Sequence, residues 1–238
     1  MPGASLEQPE HGREGDVVVS FREVDKSFGD LTVFDGFSLD IERERTTVVL
    51  GPSGSGKSVM LKHIIGLLRP DAGEVWFAGT RVDQLREHEM RSIRRRVGFL
   101  FQLSALFDSM TVGQNLEFPL REHTDLSKKE RADRVSRMLE LVDLAGIESR
   151  MPAKLSGGQQ KRVALARAVI LEPEVILYDE PTTGLDPSRA DGINDLIVKL
   201  QQELSVTSIV VTHDLLSAER VADRAVLLFH GKVIADGT

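Results

Sequence analysis

Cysteine is absent from all 238 residues, which excludes a disulfide framework, a thiolate metal site and a cysteine nucleophile. A surplus of basic charge is also absent. The chain carries 30 Lys and Arg against 37 Asp and Glu, a net charge of −7, which argues against a nucleic-acid grip built on a basic face. The basic run Arg91, Arg94, Arg95, Arg96 reads as a solvated helix face. No apolar run approaches the roughly 18 residues of a membrane span. Ala225-Val226-Leu227-Leu228-Phe229, among the longest, is strand-sized. Met1 to Gly15 mixes Pro, Gly and both charges without an apolar centre, so it is expected to be a flexible tail rather than a leader. These absences predict a cytoplasmic chain that does not cross a membrane by itself.

Strand and helix patterns alternate after the tail. Strands are expected at Val17 to Phe21, around Leu39 and Ile41, at Thr46 to Leu50, Val75 to Phe77, Val97 to Phe101, Val175 to Tyr178 and Ser208 to Val211. Helices are expected at Val59 to Leu68, Glu87 to Arg96, Gln159 to Leu171, Ser188 to Leu204 and Leu215 to Val221. Ala225 to Asp236 reads as a hairpin turning at His230-Gly231-Lys232. From about Thr111 to Gly146 the period is helical, and Ser127-Lys128-Lys129-Glu130 looks like a capping box. The alternation implies a parallel sheet with helices packed on it, and the helical stretch implies a second lobe.

Gly51-Pro52-Ser53-Gly54-Ser55-Gly56-Lys57-Ser58 fits G-x-x-x-x-G-K-[ST] between a strand and a helix. Glycines let backbone N–H groups curl around phosphate oxygens, and the helix points its positive end at the same anion. Lys57 is then placed for the β- and γ-phosphates and Ser58 for Mg2+. Asp179 and Glu180 end an apolar strand. Successive strand side chains point to opposite faces, so the two carboxylates are expected to differ in work: Asp179 on Mg2+, Glu180 on the attacking water. His213 ends another apolar strand and is expected near the γ-phosphate. Gln102 also follows a strand and is expected at Mg2+ or the water. Ser156-Gly157-Gly158-Gln159 opens a helix and forms a second anion site with no lysine loop or metal carboxylate beside it. Such a half-site suggests a second copy arranged head to tail about a two-fold axis.

Together these residues resemble the nucleotide-binding subunit of an ABC transporter, from about Val17 to Asp236. The resemblance implies a P-loop NTPase (RecA-like) α/β fold. A mainly parallel core would carry an N-terminal antiparallel β subdomain and a helical lobe inserted at about 103–170, all within one ATPase domain over 16–238. Phe28 would stack on adenine. Gly51 to Ser58 would be Walker A, Gln102 the Q-loop glutamine, Ser156 to Gln159 the signature, Asp179 and Glu180 Walker B and the base, Asp186 the D-loop, and His213 the switch histidine. The implied reaction is ATP and water to ADP and phosphate, coupled to transport, with Mg2+ as cofactor. Phe101 to Met110 and Phe118-Pro119-Leu120-Arg121-Glu122-His123-Thr124 are similar to the ATPases of Mla/Mce-type lipid transporters, although Gln159 stands where those often carry Met. That resemblance implies a homodimer with two ATP at its interface, transmembrane permease subunits, an MCE-domain lipid-binding partner and a place at the cytoplasmic face of the inner membrane. The alternatives are an ABC ATPase of another transporter class, such as amino acid or lipopolysaccharide, and a soluble ABC ATPase acting on nucleic acid or ribosomes. A P-loop kinase would leave the signature and the Asp179-Glu180 pair unexplained.

Overall fold

The computed structural model describes residues 16–238, and the tail expected over 1–15 lies outside the described residues. β1 (Val17–Phe28) and β2 (Leu31–Glu42) open the fold, and β3 (Thr46–Leu50) leads to α1 (Lys57–Ile64). β4 (Ala72–Phe77), β5 (Thr80–Arg81), α2 (Glu87–Arg94) and β6 (Val97–Leu100) follow. Then come α3 (Val112–His123), α4 (Lys128–Leu141) and α5 (Gly157–Val169). β7 (Val175–Asp179), α6 (Pro187–Leu204), β8 (Thr207–Thr212), α7 (Leu215–Val221), β9 (Arg224–Phe229) and β10 (Lys232–Gly237) complete the order.

Two sheets result. One is antiparallel, in the order β2-β1-β4-β5. The other runs β10-β9-β3-β8-β7-β6 and is parallel from β9 to β6, with β10 antiparallel at its edge. Period-two alternation along the central strands divides the core. Val48, Ile176, Tyr178 and Val210 face an apolar cluster shared with Leu116, Leu139, Leu165 and Ile197 of the helices α3 to α6. Val49, Leu177, Ile209 and Val211 face a second cluster with Met60 and Leu61 of α1, Ile93 of α2, and Phe21 and Phe77 of the antiparallel sheet. The parallel sheet is therefore buried on both faces, as its β-branched runs require. Each fully buried aliphatic side chain contributes roughly 1.5–3 kcal/mol relative to exposure.

Three local departures from the sequence pattern have physical causes. β1 extends to Phe28 because a register shift between Phe21 and Val24, with Glu23 at φ 47°, changes the phase of the alternation. α1 stops at Ile64, short of Leu68. Gly66 N donates to His63 O at 3.1 Å and Leu67 N to Lys62 O at 2.9 Å, a Schellman termination. The final hairpin turns on two residues, His230 (φ 47°) and Gly231 (φ 71°), and Lys232 already pairs with Phe229. The capping box of α4 forms as expected: Glu130 N donates to Ser127 Oγ at 3.3 Å and Ser127 N to Glu130 Oε2 at 2.7 Å. In the basic run, Arg94 pairs with Glu87 and Arg96 with Glu174, while Arg91 and Arg95 are exposed.

Candidate functional site

Parallel pairing of β3, β8 and β7 brings their C-terminal ends to one edge. Ligands of such sheets sit beyond that edge. The loop after Leu50, the pair Asp179-Glu180 and the pair Thr212-His213 all emerge there. Gly56 caps α1 at φ 103° without any side-chain cap bond, and a Cβ on it would lie 2.7 Å from the Phe34 ring. A Cβ on Gly51 would lie 2.3 Å from Leu228 O. Pro52, Ser53 and Gly54 are exposed, whereas Ser55 is buried and its Oγ has no hydrogen-bond partner. The buried Lys57 curls back, its Nζ donating to Gly51 O at 2.8 Å and Pro52 O at 3.1 Å. Its ammonium also lies 3.7 Å from Glu180 Oε1.

The two carboxylates make different contacts. Asp179 is buried and its Oδ1 accepts from Ser58 Oγ at 2.7 Å. Burial pushes its carboxyl above the ordinary value, the Ser58 hydrogen bond opposes this, and the Glu180 charge adds to it. Glu180 stands just past the strand at φ 49°, a left-handed conformation that costs a non-glycine residue roughly 1–2 kcal/mol. Its backbone N donates to Val211 O at 3.0 Å. Its Oε2 accepts from Thr183 Oγ1 at 3.3 Å and Thr212 Oγ1 at 3.4 Å, and lies 2.9 Å from His213 Nδ1. Among the described residues, no three His, Asp or Glu side chains gather as a metal cluster. A single buried carboxylate beside a hydroxyl suits Mg2+, which takes its remaining ligands from water and substrate phosphates.

Gln102 follows the end of β6 and its side chain is exposed. Its carbonyl accepts from Lys161 Nζ at 2.5 Å. Three further residues, Lys161, Thr183 and Thr212, touch these groups without carrying any expected role. Lys161 had a legible signal, since it stands on the α5 stripe that continues through Ala164 and Leu165 into the core.

Ser156 is the N-cap of α5, where Gln159 N donates to its Oγ at 3.4 Å and Ser156 N donates to Gln159 Oε1 at 3.0 Å. Neither bond reaches the Lys57 loop. Ser156 and Gly157 are exposed, and the glycines face the start of α6: a Cβ on Gly157 would lie 3.8 Å from Leu185 and one on Gly158 3.5 Å from Arg189. Asp186 caps α6, accepting from Arg189 N at 3.1 Å and pairing with Arg189 Nε at 3.2 Å. Phe28, the last residue of β1, is 46% exposed with Lys26 Nζ 5.4 Å from its ring centroid.

A family profile described as ABC transporter matches residues 34–183. The chain belongs to the ABC transporter family. It is 42% identical over 221 residues to the probable ribonucleotide transport ATP-binding protein mkl of Mycobacterium leprae, covering 93% of this chain and 64% of that protein. It is 42% identical over 210 residues to the intermembrane phospholipid transport system ATP-binding protein MlaF of Haemophilus influenzae, covering 88% of this chain and 80% of that protein. Among solved structures it is similar to the dimeric ATP-binding cassette MJ0796 in a post-hydrolysis state bound to ADP and Pi, at TM-score 0.84 and 35% identity, covering 92% of this chain and 98% of that one. The fold expected from the resemblance is thus the fold of an ABC cassette.

Proposed function

We propose that this chain is the ATP-hydrolysing subunit of a bacterial lipid transporter. The observation that carries the hydrolytic part is the meeting of Lys57, Glu180 and His213 at one sheet edge, beside the Ser58–Asp179 pair. ATP would bind with its phosphates in the loop 51–58, where the lysine ammonium exchanges backbone carbonyls for phosphate oxygens, and with its base on Phe28. The uncapped start of α1 offers N–H groups to the same anion. Glu180, held by His213, Thr212 and Thr183, takes a proton from water as the water oxygen attacks the γ-phosphorus. The bond to the ADP oxygen breaks and phosphate leaves.

The donor set also fits a divalent cation. Ser58, Asp179 and Gln102 would hold Mg2+, and when bound the ion would neutralise charge on the phosphate oxygens. His213 would contact the γ-phosphate. Ser156, Gly157, Gly158 and Gln159, together with Asp186, would complete the site of a second copy in a head-to-tail homodimer, as the dimeric relative supports. The helices α3 to α5 would form the lobe at about 103–170. On that lobe Ser109, Met110, Gln114, Glu117, Phe118 and Arg121 line a groove of about 280 Å³, which would receive the permease at the cytoplasmic face of the membrane.

Lipid as cargo is supported by the likeness to MlaF and by the Pro119 to Thr124 stretch that ends α3 and forms its C-cap. The test is affinity isolation of the chain from its native membrane, with mass spectrometry of co-purifying proteins and of extracted small molecules. A permease, an MCE-domain partner and phospholipid are the expected result. A ribonucleotide carried by the same permease would replace the lipid reading, and a ribosome or DNA would overturn the transporter reading.

A further inference from the structure

The charge of Lys161 is not needed for packing. The residue is 5% exposed, on the stripe of α5 that faces the core, and among the described residues it makes no salt bridge. Among the described residues its Nζ donates to one acceptor, the Gln102 carbonyl, at 2.5 Å. Keeping an ammonium out of water is costly, and an unbranched apolar side chain would fill the same volume without that cost. Burial pulls its pKa down, while the carboxylates of Asp179 and Glu180 pull it back up, which places the amino group within their field.

The loop it holds has a second grip from the same helix. Arg167 donates to Ser104 O at 3.3 Å and Ala105 O at 2.7 Å, with its guanidinium 5.4 Å from the Phe107 ring centroid. Ser104 and Ala105 both have positive φ, at 62° and 48°, a backbone path that non-glycine residues keep only when their surroundings impose it. Ahead of Gln102, Phe101 stacks on Phe99 at 4.1 Å between centroids. The backbone around Gln102 is therefore pinned on both sides, while its side chain stays exposed. The same α5 begins at Ser156, about 7.5 Å along the helix axis from Lys161.

We propose that Lys161 is a positioning residue: through the Gln102 carbonyl it fixes the Gln102 side chain at the phosphate site and ties that site to the helix that presents Ser156 to a second copy. This rests on the assignment of Gln102 to the hydrolytic site proposed above. Gln102→Ala removes the side chain but leaves the carbonyl that Lys161 grips, so the two residues can be separated.

The experiment compares Lys161→Met, Lys161→Arg, Gln102→Ala and the double variant Lys161→Met/Gln102→Ala in the purified full chain. ATP hydrolysis is titrated with ATP and with Mg2+, alongside binding of a fluorescent ATP analogue and thermal melting. Misplacement by an ångström costs up to about a hundredfold in rate, so Lys161→Met is expected to lower kcat about tenfold or more. It should leave analogue affinity within about twofold, because Lys57 and Phe28 are untouched. The Mg2+ needed for half-maximal rate should rise, Lys161→Arg should recover most of kcat, and the double variant should be no slower than Gln102→Ala alone. If Lys161→Met does not fold, Lys161→Gln, which keeps a donor without the charge, carries the same comparison. A wild-type kcat in Lys161→Met with a slow Gln102→Ala overturns this inference and leaves the site assignment standing. A wild-type rate in Gln102→Ala overturns both. Losses that multiply in the double variant, or an Arg variant as slow and as unstable as the Met variant, reduce Lys161 to a structural tie and overturn the proposal.

Discussion

The first turns of α1 and α5 both point N–H groups outward, yet they satisfy them differently. α1 begins at Gly56, which has no side chain to cap it, with a buried ammonium and two carboxylates close by. α5 follows its N-cap Ser156, whose reciprocal capping box with Gln159 satisfies the N–H groups of Ser156 and Gln159 and leaves those of Gly157 and Gly158 to water or a ligand. The uncapped end leaves donors that only an anion or water can satisfy, with Lys57, Asp179 and Glu180 beside them. The capped end needs no ligand to be stable and has no lysine or carboxylate set beside it. On the function proposed above, the first end would hold and cut a phosphate, while the second would only add donors to a phosphate held elsewhere.

The sharpest way to break this comparison is at the complete end. Glu180→Gln keeps shape and hydrogen bonding but removes the charge of the proposed base, and losing a base typically costs about two to four decades in rate. Asp179 and Lys57 remain, so Mg-ATP should still bind. In the proposed head-to-tail dimer, ATP held between Lys57 of one copy and Ser156 of the other would stabilise only the closed state, so uncleaved ATP should accumulate it. The checks are hydrolysis in the permease-assembled complex and the mass of the isolated chain with ATP. Near wild-type turnover would remove Glu180 from the role of base.

At the half-site, Ser156→Arg should slow hydrolysis by about a hundredfold, the scale of losing one positioned donor, because a bulky cation would stand where the other copy's γ-phosphate would dock. Binding of a fluorescent ATP analogue to the monomer should change less than about twofold. Losing the serine cap also costs roughly 1 kcal/mol of stability, so melting is measured alongside. If monomer binding fell as far as hydrolysis, α5 would serve its own chain's nucleotide and the two ends would not divide the work.

Much of this contrast was legible in the residues. The loop 51–58, the strand-end acids and His213 announce themselves because strand alternation and glycine spacing are local signals, and parallel pairing brings them to one edge. Phe28 was less visible, because the bulge at Glu23 breaks the alternation that would have carried β1 to it. The expectation that Asp179 and Glu180 separate rested on strand alternation, whereas the structure separates their contacts by a turn. β7 ends at Asp179, and the left-handed turn at Glu180 directs the second carboxylate toward His213. Lys161 stands on a legible stripe of α5, but its bond to the Gln102 carbonyl, like that of Thr212 to Glu180, joins elements distant in sequence, which no local period encodes.

The complete site should also carry a stability cost, and that sharpens the contrast with the self-capped helix. Burial holds the Asp179 carboxyl above its ordinary value of 3.8. The unfolded chain releases that proton near the ordinary value, so above it the folded state must either keep the proton or bury a charge. The favourable contribution of this residue is present below the unfolded value and is lost as pH rises through the folded value. Asp179→Asn should therefore melt higher than the unsubstituted chain at pH 7 without nucleotide, by about 2–4 °C for each kcal/mol relieved. The difference should shrink as pH falls through the folded value. Thermal melts across pH check the sign, and a lower melting temperature at pH 7 would mean that Asp179 is stabilising as an anion.

The smallest expected effect concerns the base, which neither helix end reads. Phe28 offers a ring face, and stacking on an aromatic is worth roughly 1–3 kcal/mol for any base because every base has a π-face. The cation beside that ring, Lys26, is committed to Asp71 at 2.7 Å, and the nearby hydroxyls of Ser27 and Thr32 lie 3.4 Å from each other. Strong discrimination comes from buried polar groups that the wrong ligand leaves unpaired, and an exposed ring at the end of β1 supplies none. The ratio of kcat/KM for ATP over GTP should therefore stay under about tenfold, or about 1.4 kcal/mol. Phe28→Ala should weaken both nucleotides alike while leaving kcat at saturation nearly unchanged, since the ring is remote in role from Glu180. Steady-state assays with both nucleotides on both chains make the test. A hundredfold preference for ATP that vanished in Phe28→Ala would mean that the loop at Phe28 reads the base edge, and the phosphate end of the site would no longer carry recognition alone.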